Sequence, residues 1–207
     1  MTKPLELAHS LLAEVIKPDD IVIDATMGNG HDTVFLARLC WNVIAFDVQE
    51  RAIAATRARL EGEGLADRVK LVHDGHENVG TYLNETLNAN DSVSHRICEE
   101  GVARRGNPES RIKAAIFNLG YLPGSDKRVT TRGKTTIIAL RKIAKKLEIG
   151  GRITIMVYPG HDAGAEEAVV VREWASSLSQ SEWQVVKYEH MNQANRPPFL
   201  ICVERVY

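Results

Sequence analysis

Short β-branched runs alternate along the chain with stretches whose apolar residues recur at helical spacing. The first run, Ile21-Val22-Ile23, follows the turn residues Pro18-Asp19-Asp20 and is apolar throughout, the pattern of a strand buried on both faces. A glycine-containing turn, Asp24 to Thr33, leads into Val34 to Leu39, which suits a helix. Further strands are predicted at Asn42–Asp47, Val69–Val72, Ala114–Phe117 and Arg152–Val157, with an Ala- and Arg-rich helix over Ala52–Leu60. Thr135 to Leu147 places Ile137, Leu140, Ala144 and Leu147 on one helical face, and Gly150-Gly151 reads as its stop. A helix over Ala165–Leu178 precedes two last strands, Trp183–Tyr188 and Phe199–Val203. Glu189 to Pro198 is too short for a helical crossover, so these two strands should pair antiparallel as a hairpin. The alternation predicts an α/β chain with a Rossmann-like, doubly wound, seven-stranded, mostly parallel sheet.

One stretch breaks the rhythm. Asn84 to Arg111 is polar, carries mixed charge and shows no period, and is expected to be an insertion at the edge of one domain spanning 1–207. Loops of that length are either functional or disordered. The composition, 44% hydrophobic and 26% charged, is that of a globular domain. Three cysteines, Cys40, Cys98 and Cys202, lie far apart without a Cys-x-x-Cys spacing, so neither a disulfide framework nor a metal site is expected. The lack of a long apolar run or a signal-peptide pattern leads to the expectation of an intracellular protein without a membrane partner. Its compartment would be the cytoplasm, or a plastid or mitochondrion if a transit peptide has been removed.

In an open α/β sheet, ligands bind beyond the carboxyl ends of the strands at the switch point. After the first strand, Gly28 and Gly30 let the backbone turn and approach a ligand. Asp47 ends the second strand 23 positions past Asp24, where a carboxylate can accept the hydroxyls of a ribose. After the third strand, Asp74-Gly75-His76 offers a carboxylate and a ring to border an adenine. A dinucleotide fold predicts similar features, but its third glycine falls at position 33, which is Thr33. His31 and His73 are read as structural residues.

Asp24, Asp47 and the closing hairpin together resemble a class I S-adenosylmethionine-dependent methyltransferase. That resemblance implies a cofactor site of Asp24, Thr26, Gly28, Asn29, Gly30, Asp32, Thr33, Asp47, Gln49, Asp74, His76 and Asn118. Beyond the fourth strand, Asn118-Leu119-Gly120-Tyr121 partly resembles the Asn/Asp-Pro-Pro-Tyr loop of amino-methylating enzymes, with the prolines replaced. Four segments in this order, Asp24 to Thr33, Asn118 to Lys127, Tyr158-Pro-Gly-His161 and Arg196-Pro-Pro198, resemble the family labelled putative rRNA methylase. Its characterised members are similar to tRNA wobble-uridine methyltransferases acting on 5-aminomethyl-(2-thio)uridine. The resemblance implies S-adenosylmethionine as cofactor, S-adenosylhomocysteine as product, the tRNA anticodon stem-loop as partner, and a homodimer.

An alkyl amine attacks only as its free base, so such a site must favour the neutral form by desolvation and a proton acceptor. Candidates are Asn118 to hold the amine, Tyr121 to pack on uracil, and Asp126 or His161 to take the proton. For His161, a helix-capping role before Ala165 stays open. Charge also bears on the acceptor. Lys plus Arg number 26 against 27 Asp plus Glu, a net charge of −1 that by itself disfavours nucleic acid. Yet Lys127 to Lys146 holds eight basic residues and no acidic one. Lys127, Arg128, Arg132 and Lys134 are candidate RNA phosphate contacts, with Arg196 in the last connection. Arg141, Lys142, Lys145 and Lys146 read equally as a solvated helix face. Two alternatives stay open: the same fold acting on rRNA or a small amine, and a non-catalytic or NAD-binding Rossmann module.

Overall fold

The computed structural model describes residues 2–84, 112–120 and 130–207. Apart from Asn84, the expected insertion lies outside these residues, as do Tyr121, Asp126, Lys127, Arg128 and Cys98. The strands are β1 (Ile21–Asp24), β2 (Asn42–Asp47), β3 (Val69–His73), β4 (Ile112–Asn118), β5 (Leu147–Val157), β6 (Trp183–Tyr188) and β7 (Phe199–Arg205). They form one sheet in the order β3-β2-β1-β4-β5-β7-β6. The first five run parallel, and β7 is antiparallel to both β5 and β6, as the short last connection requires.

Six helices flank the sheet among the described residues: α1 (Pro4–Ala13), α2 (His31–Leu39), α3 (Glu50–Gly62), α4 (79–84 in its described part), α5 (Gly133–Lys146) and α6 (Asp162–Ser176). Alternation along each strand sends neighbouring side chains to opposite faces. On one face Val22, Val43, Ala114 and Ile116 meet Leu12 of α1, Leu36 of α2 and Leu60 of α3. On the other, Ile23, Phe46, Phe117 and Ile155 meet Leu83 of α4, Leu140 of α5 and Val171 of α6. Helices on both faces explain why the inner strands are unbroken apolar runs.

Two features differ from expectation. The glycine pair Gly150-Gly151 does not stop α5, which ends at Lys146; it lies inside β5. There Leu147 pairs with Ile112 and the next partners are Ala114 and Arg152, so the intervening residues bulge out. Gly150 has φ +69°, and a Cβ on Gly151 would stand 2.8 Å from the Lys113 and Glu148 carbonyl oxygens, so the bulge requires both glycines. The second is α1, which the sequence pattern did not bring out. Pro4 sits in its first turn and Ala8 and Leu12 are fully buried.

Candidate functional site

The loops after β1 to β5 enclose a cavity of about 1080 Å³ at the carboxyl edge of the sheet, spanning the switch point between β1 and β4. Of the residues expected to hold a cofactor, Thr26, Gly28, Asn29, Asp32, Asp47, Gln49, Asp74, His76 and Asn118 line it. Asp24, Gly30 and Thr33 do not; they support the wall from behind. Gly30 has φ +82°, and a Cβ there would meet the Thr56 backbone at 2.9 Å, so the turn passes too close to α3 for any side chain. The Thr56 hydroxyl donates to the Gly28 carbonyl at 3.2 Å, and Arg59 Nε donates to the Asn29 carbonyl at 3.0 Å. His31 also lines the cavity, whereas His73 instead contacts the Val48 carbonyl at 3.1 Å.

Asp47 binds this turn to the end of β2. One carboxylate oxygen accepts the Gly28 amide at 3.1 Å and the other the Gln49 amide at 2.9 Å. With the Val48 amide as a third donor, the carboxylate keeps one acceptor site for a ligand hydroxyl. Burial pushes this carboxyl above its ordinary pKa, against the pull of those amides. Asp24 is fully buried, accepting the Thr33 hydroxyl at 2.6 Å and the Thr26 amide at 3.1 Å. Burial, with the nearby charge of Asp32 adding to it, pushes Asp24 up to about 7. After β3, His76 Nδ1 donates to the Ala25 carbonyl at 3.0 Å, and burial lowers its pKa, which keeps the ring neutral. Asp74 accepts the Gly75 amide, the Asn78 amide group and the Tyr82 hydroxyl.

Asp32, also lining the cavity, stands in the first turn of α2, where the helix dipole favours an anion. Its Oδ2 accepts from Asn118 Nδ2 at 3.2 Å, and its Oδ1 meets His9 Nε2, from α1, at 2.7 Å. The Asn118 backbone amide donates to Thr26 Oγ1 at 2.7 Å, joining the ends of β4 and β1. Tyr158 lines the cavity; burial, with the negative charge of Asp32 adding to it, raises its hydroxyl pKa.

His161 also lines the cavity, and it caps α6: its Nδ1 accepts the Gly164 amide at 3.0 Å. A neutral ring with Nδ1 so engaged carries its hydrogen on Nε2. This contact gives His161 the helix-capping role, with Nδ1 engaged by the Gly164 amide. A Cβ on Gly164 would come 2.1 Å from the Tyr158 carbonyl, so the cap needs glycine at that position. Nearby, Thr131 Oγ1 accepts the Gly120 amide at 2.8 Å and donates to the buried Glu167 at 2.7 Å, while Thr136 donates to the other Glu167 oxygen at 2.7 Å. Burial raises the Glu167 pKa.

Of the basic candidates, Arg132 and Arg196 line the cavity, and Arg196 holds φ +40° beside Asn195 and Pro198. Lys134 is exposed in the first turn of α5 and does not reach the cavity; Lys142 is tied to the Glu77 carbonyl. The sequence pattern does not single out His9, Thr131 or Glu167, and it gives Tyr158 no role. Pro4 ahead of Leu5, Ala8 and Leu12 was the available signal for α1, but nothing in the sequence marks His9 as a partner of Asp32.

Comparison with known proteins agrees with this architecture. The model of the family described as Putative rRNA methylase matches residues 43–204. A curated relative from Arabidopsis thaliana, the chloroplastic tRNA (mnm(5)s(2)U34)-methyltransferase, is 32% identical over 98% of this chain and 70% of its own length. The crystal structure of a putative rRNA methylase from Clostridium thermocellum superimposes with a TM-score of 0.82 at 38% identity, covering 99% of this chain and 98% of that one. A putative methyltransferase from Streptococcus mutans, solved in complex with SAH, gives a TM-score of 0.79 at 40% identity over 99% of both chains. The strand order, the cavity at the switch point and these matches together place the chain in the Putative rRNA methylase family of class I methyltransferases.

Proposed function

We propose that this methyltransferase converts 5-aminomethyl-(2-thio)uridine at the tRNA wobble position to its 5-methylaminomethyl form, with S-adenosylmethionine as methyl donor. The SAH complex of the Streptococcus mutans relative supports the donor. The cavity fits it, with the glycine turn and Asp47 on one side and Asp74 and His76 on the other. The tRNA acceptor draws support from the Arabidopsis relative. S-adenosylmethionine supplies a methyl group already activated by the positive charge on its sulfur.

The chain's own residues then have mainly to position and to desolvate. In this reading Asp47 accepts a ribose hydroxyl, the turn from Thr26 to Asn29 follows the rest of the donor, and His76 borders the adenine. The observation that carries the reading is Asn118. Its amide nitrogen is held by Asp32, which leaves its carbonyl oxygen to accept an N–H from the acceptor amine and turn the lone pair toward the methyl group. Asp126 and His161 are the candidates to take the proton and Tyr121 the candidate to pack on uracil; of these, His161 alone lies within the described residues. Arg132 and Arg196 at the rim, with Lys127, Arg128 and Lys134, contact RNA phosphates.

The family's description favours a second acceptor, rRNA. Transfer of label from methyl-labelled donor to purified aminomethylated tRNA or to rRNA separates the two. Labelled tRNA with unlabelled rRNA is the expected result, and the reverse would replace the tRNA reading. Asn118→Ala is expected to bind the donor normally and to lose roughly 100-fold in turnover; undiminished turnover would remove Asn118 from the mechanism.

A further inference from the structure

Asp32 is a carboxylate with little exposed surface, and both of its oxygens are engaged in ways that bear on the site. A buried carboxylate needs such partners to offset its lost hydration. One of them, Asn118 Nδ2, comes from the proposed amine-holding residue. The other, His9 Nε2, arrives at 2.7 Å from the neighbouring helix α1, which contributes no other polar contact to Asp32 among the described residues. The His9 ring is itself held flat against Phe35 of α2, with centroids 4.0 Å apart and planes 9° from parallel. Its Nε2 is thus fixed relative to the helix that carries Asp32. The other titratable groups around the pair are Asp24 on β1 and Tyr158 after β5.

An asparagine amide can occupy two flipped orientations that differ only in which end accepts and which donates. Turned one way, Asn118 offers N–H to Asp32 and its carbonyl elsewhere; turned the other, its carbonyl faces an anion and its N–H₂ would face the acceptor amine. The orientation that can accept an amine N–H therefore depends on where the Asp32 carboxylate stands. We infer that His9 is a positioning residue for methyl transfer: by donating from Nε2 to Asp32 it fixes the carboxylate that fixes the amide of Asn118. This inference rests on the proposal that Asn118 holds the acceptor amine. Neutral imidazole with its hydrogen on Nε2 and imidazolium both make that donation, so the role needs a donor at this point in space and no titration.

Two variants separate the donor from the ring. His9→Gln places an amide N–H₂ close to where Nε2 stands, whereas His9→Leu fills the space on Phe35 without a donor. With aminomethylated tRNA as acceptor, His9→Leu is expected to lose roughly 10- to 100-fold in kcat, with Kd for S-adenosylmethionine within about twofold of wild type. His9→Gln should recover most of that loss and keep the wild-type pH–rate profile. Wild-type kcat in His9→Leu would overturn the inference, as would a Gln variant no better than Leu or one lacking the acidic limb of the profile, the mark of a titrating role. A second readout needs no tRNA. The side-chain amide resonance of Asn118 in the donor-bound protein should shift in His9→Leu and return in His9→Gln, and an unmoved resonance would contradict the coupling. If the resonance responds while wild type fails to methylate aminomethylated tRNA, the acceptor assignment falls and the His9–Asp32–Asn118 coupling stands.

Discussion

Asp24 exposes none of its surface, yet it carries a carboxyl whose protonation falls within the working pH range, since burial and the neighbouring Asp32 charge bring it to about 7. Because the folded value lies above that of an unfolded aspartate, the native state binds the proton more tightly. The stability this contributes is complete below about pH 4 and is lost as pH rises through about 7, a change on the order of a few kcal/mol. Chemical denaturation of the ligand-free protein should show unfolding free energy falling over that window, and Asp24→Asn should flatten the fall; an equal slope in the variant would show that Asp24 is not its source. At Gly30 the constraint is steric. Gly30→Ala must hold a side chain at φ +82° against the Thr56 backbone, which costs about 1–2 kcal/mol for the left-handed conformation alone and displaces the turn proposed to follow the donor. Weaker S-adenosylmethionine binding by calorimetry, together with a lower Tm, is the expected outcome, and unchanged binding would place that turn outside the donor site.

Among the elements, those that proved legible were the ones whose pattern has one cause. β1, β2 and β4 are apolar because both faces of the sheet are covered, and the hairpin of β6 and β7 followed from the length of its connection. α1 was obscured because it packs two ways: Leu12 joins the core over α2 and α3, while Ala8, Leu7 and Leu11 pack with Met156 and Leu200, so no single polar face interrupts its apolar positions. Gly150-Gly151 misled because a glycine pair after a helix serves a cap and a bulge equally well, and only the pairing partner of Leu147 decides. The site was legible where loops are local, as in the turn from Thr26 to Asn29. It was hidden where hydrogen bonds join distant residues, His9 to Asp32 and Thr131 to Glu167. The latter bond joins the end of β4 to α6 through Gly120. Thr131→Val leaves the Gly120 amide and a Glu167 oxygen without this partner and should cost about 1–3 kcal/mol, read by thermal or chemical melting; a drop smaller than about 0.5 kcal/mol, the usual range of surface substitutions, would mean that the threonine is replaceable.

For the molecule as a whole, a net charge of −1 averages over an uneven distribution along the chain. Arg132 and Arg196 stand at the cavity mouth, and Lys134 is exposed in the first turn of α5, so positive charge borders the entrance without coating the protein. Affinity for tRNA should fall steeply with salt, and neutralising Arg132, Lys134 and Arg196 together should flatten the log–log slope by up to about 0.7–0.9 for each phosphate that no longer meets a cation. An unaltered slope would move the RNA track to another face. What the cavity methylates is the central question for the molecule. Mass spectrometry of nucleosides digested from aminomethylated tRNA, after incubation with the protein and S-adenosylmethionine, tests it most directly. The expected result is disappearance of 5-aminomethyl-(2-thio)uridine and a matching gain of its 5-methylaminomethyl form; a methylated nucleoside of any other identity, with the aminomethyl form left intact, would contradict the proposed function.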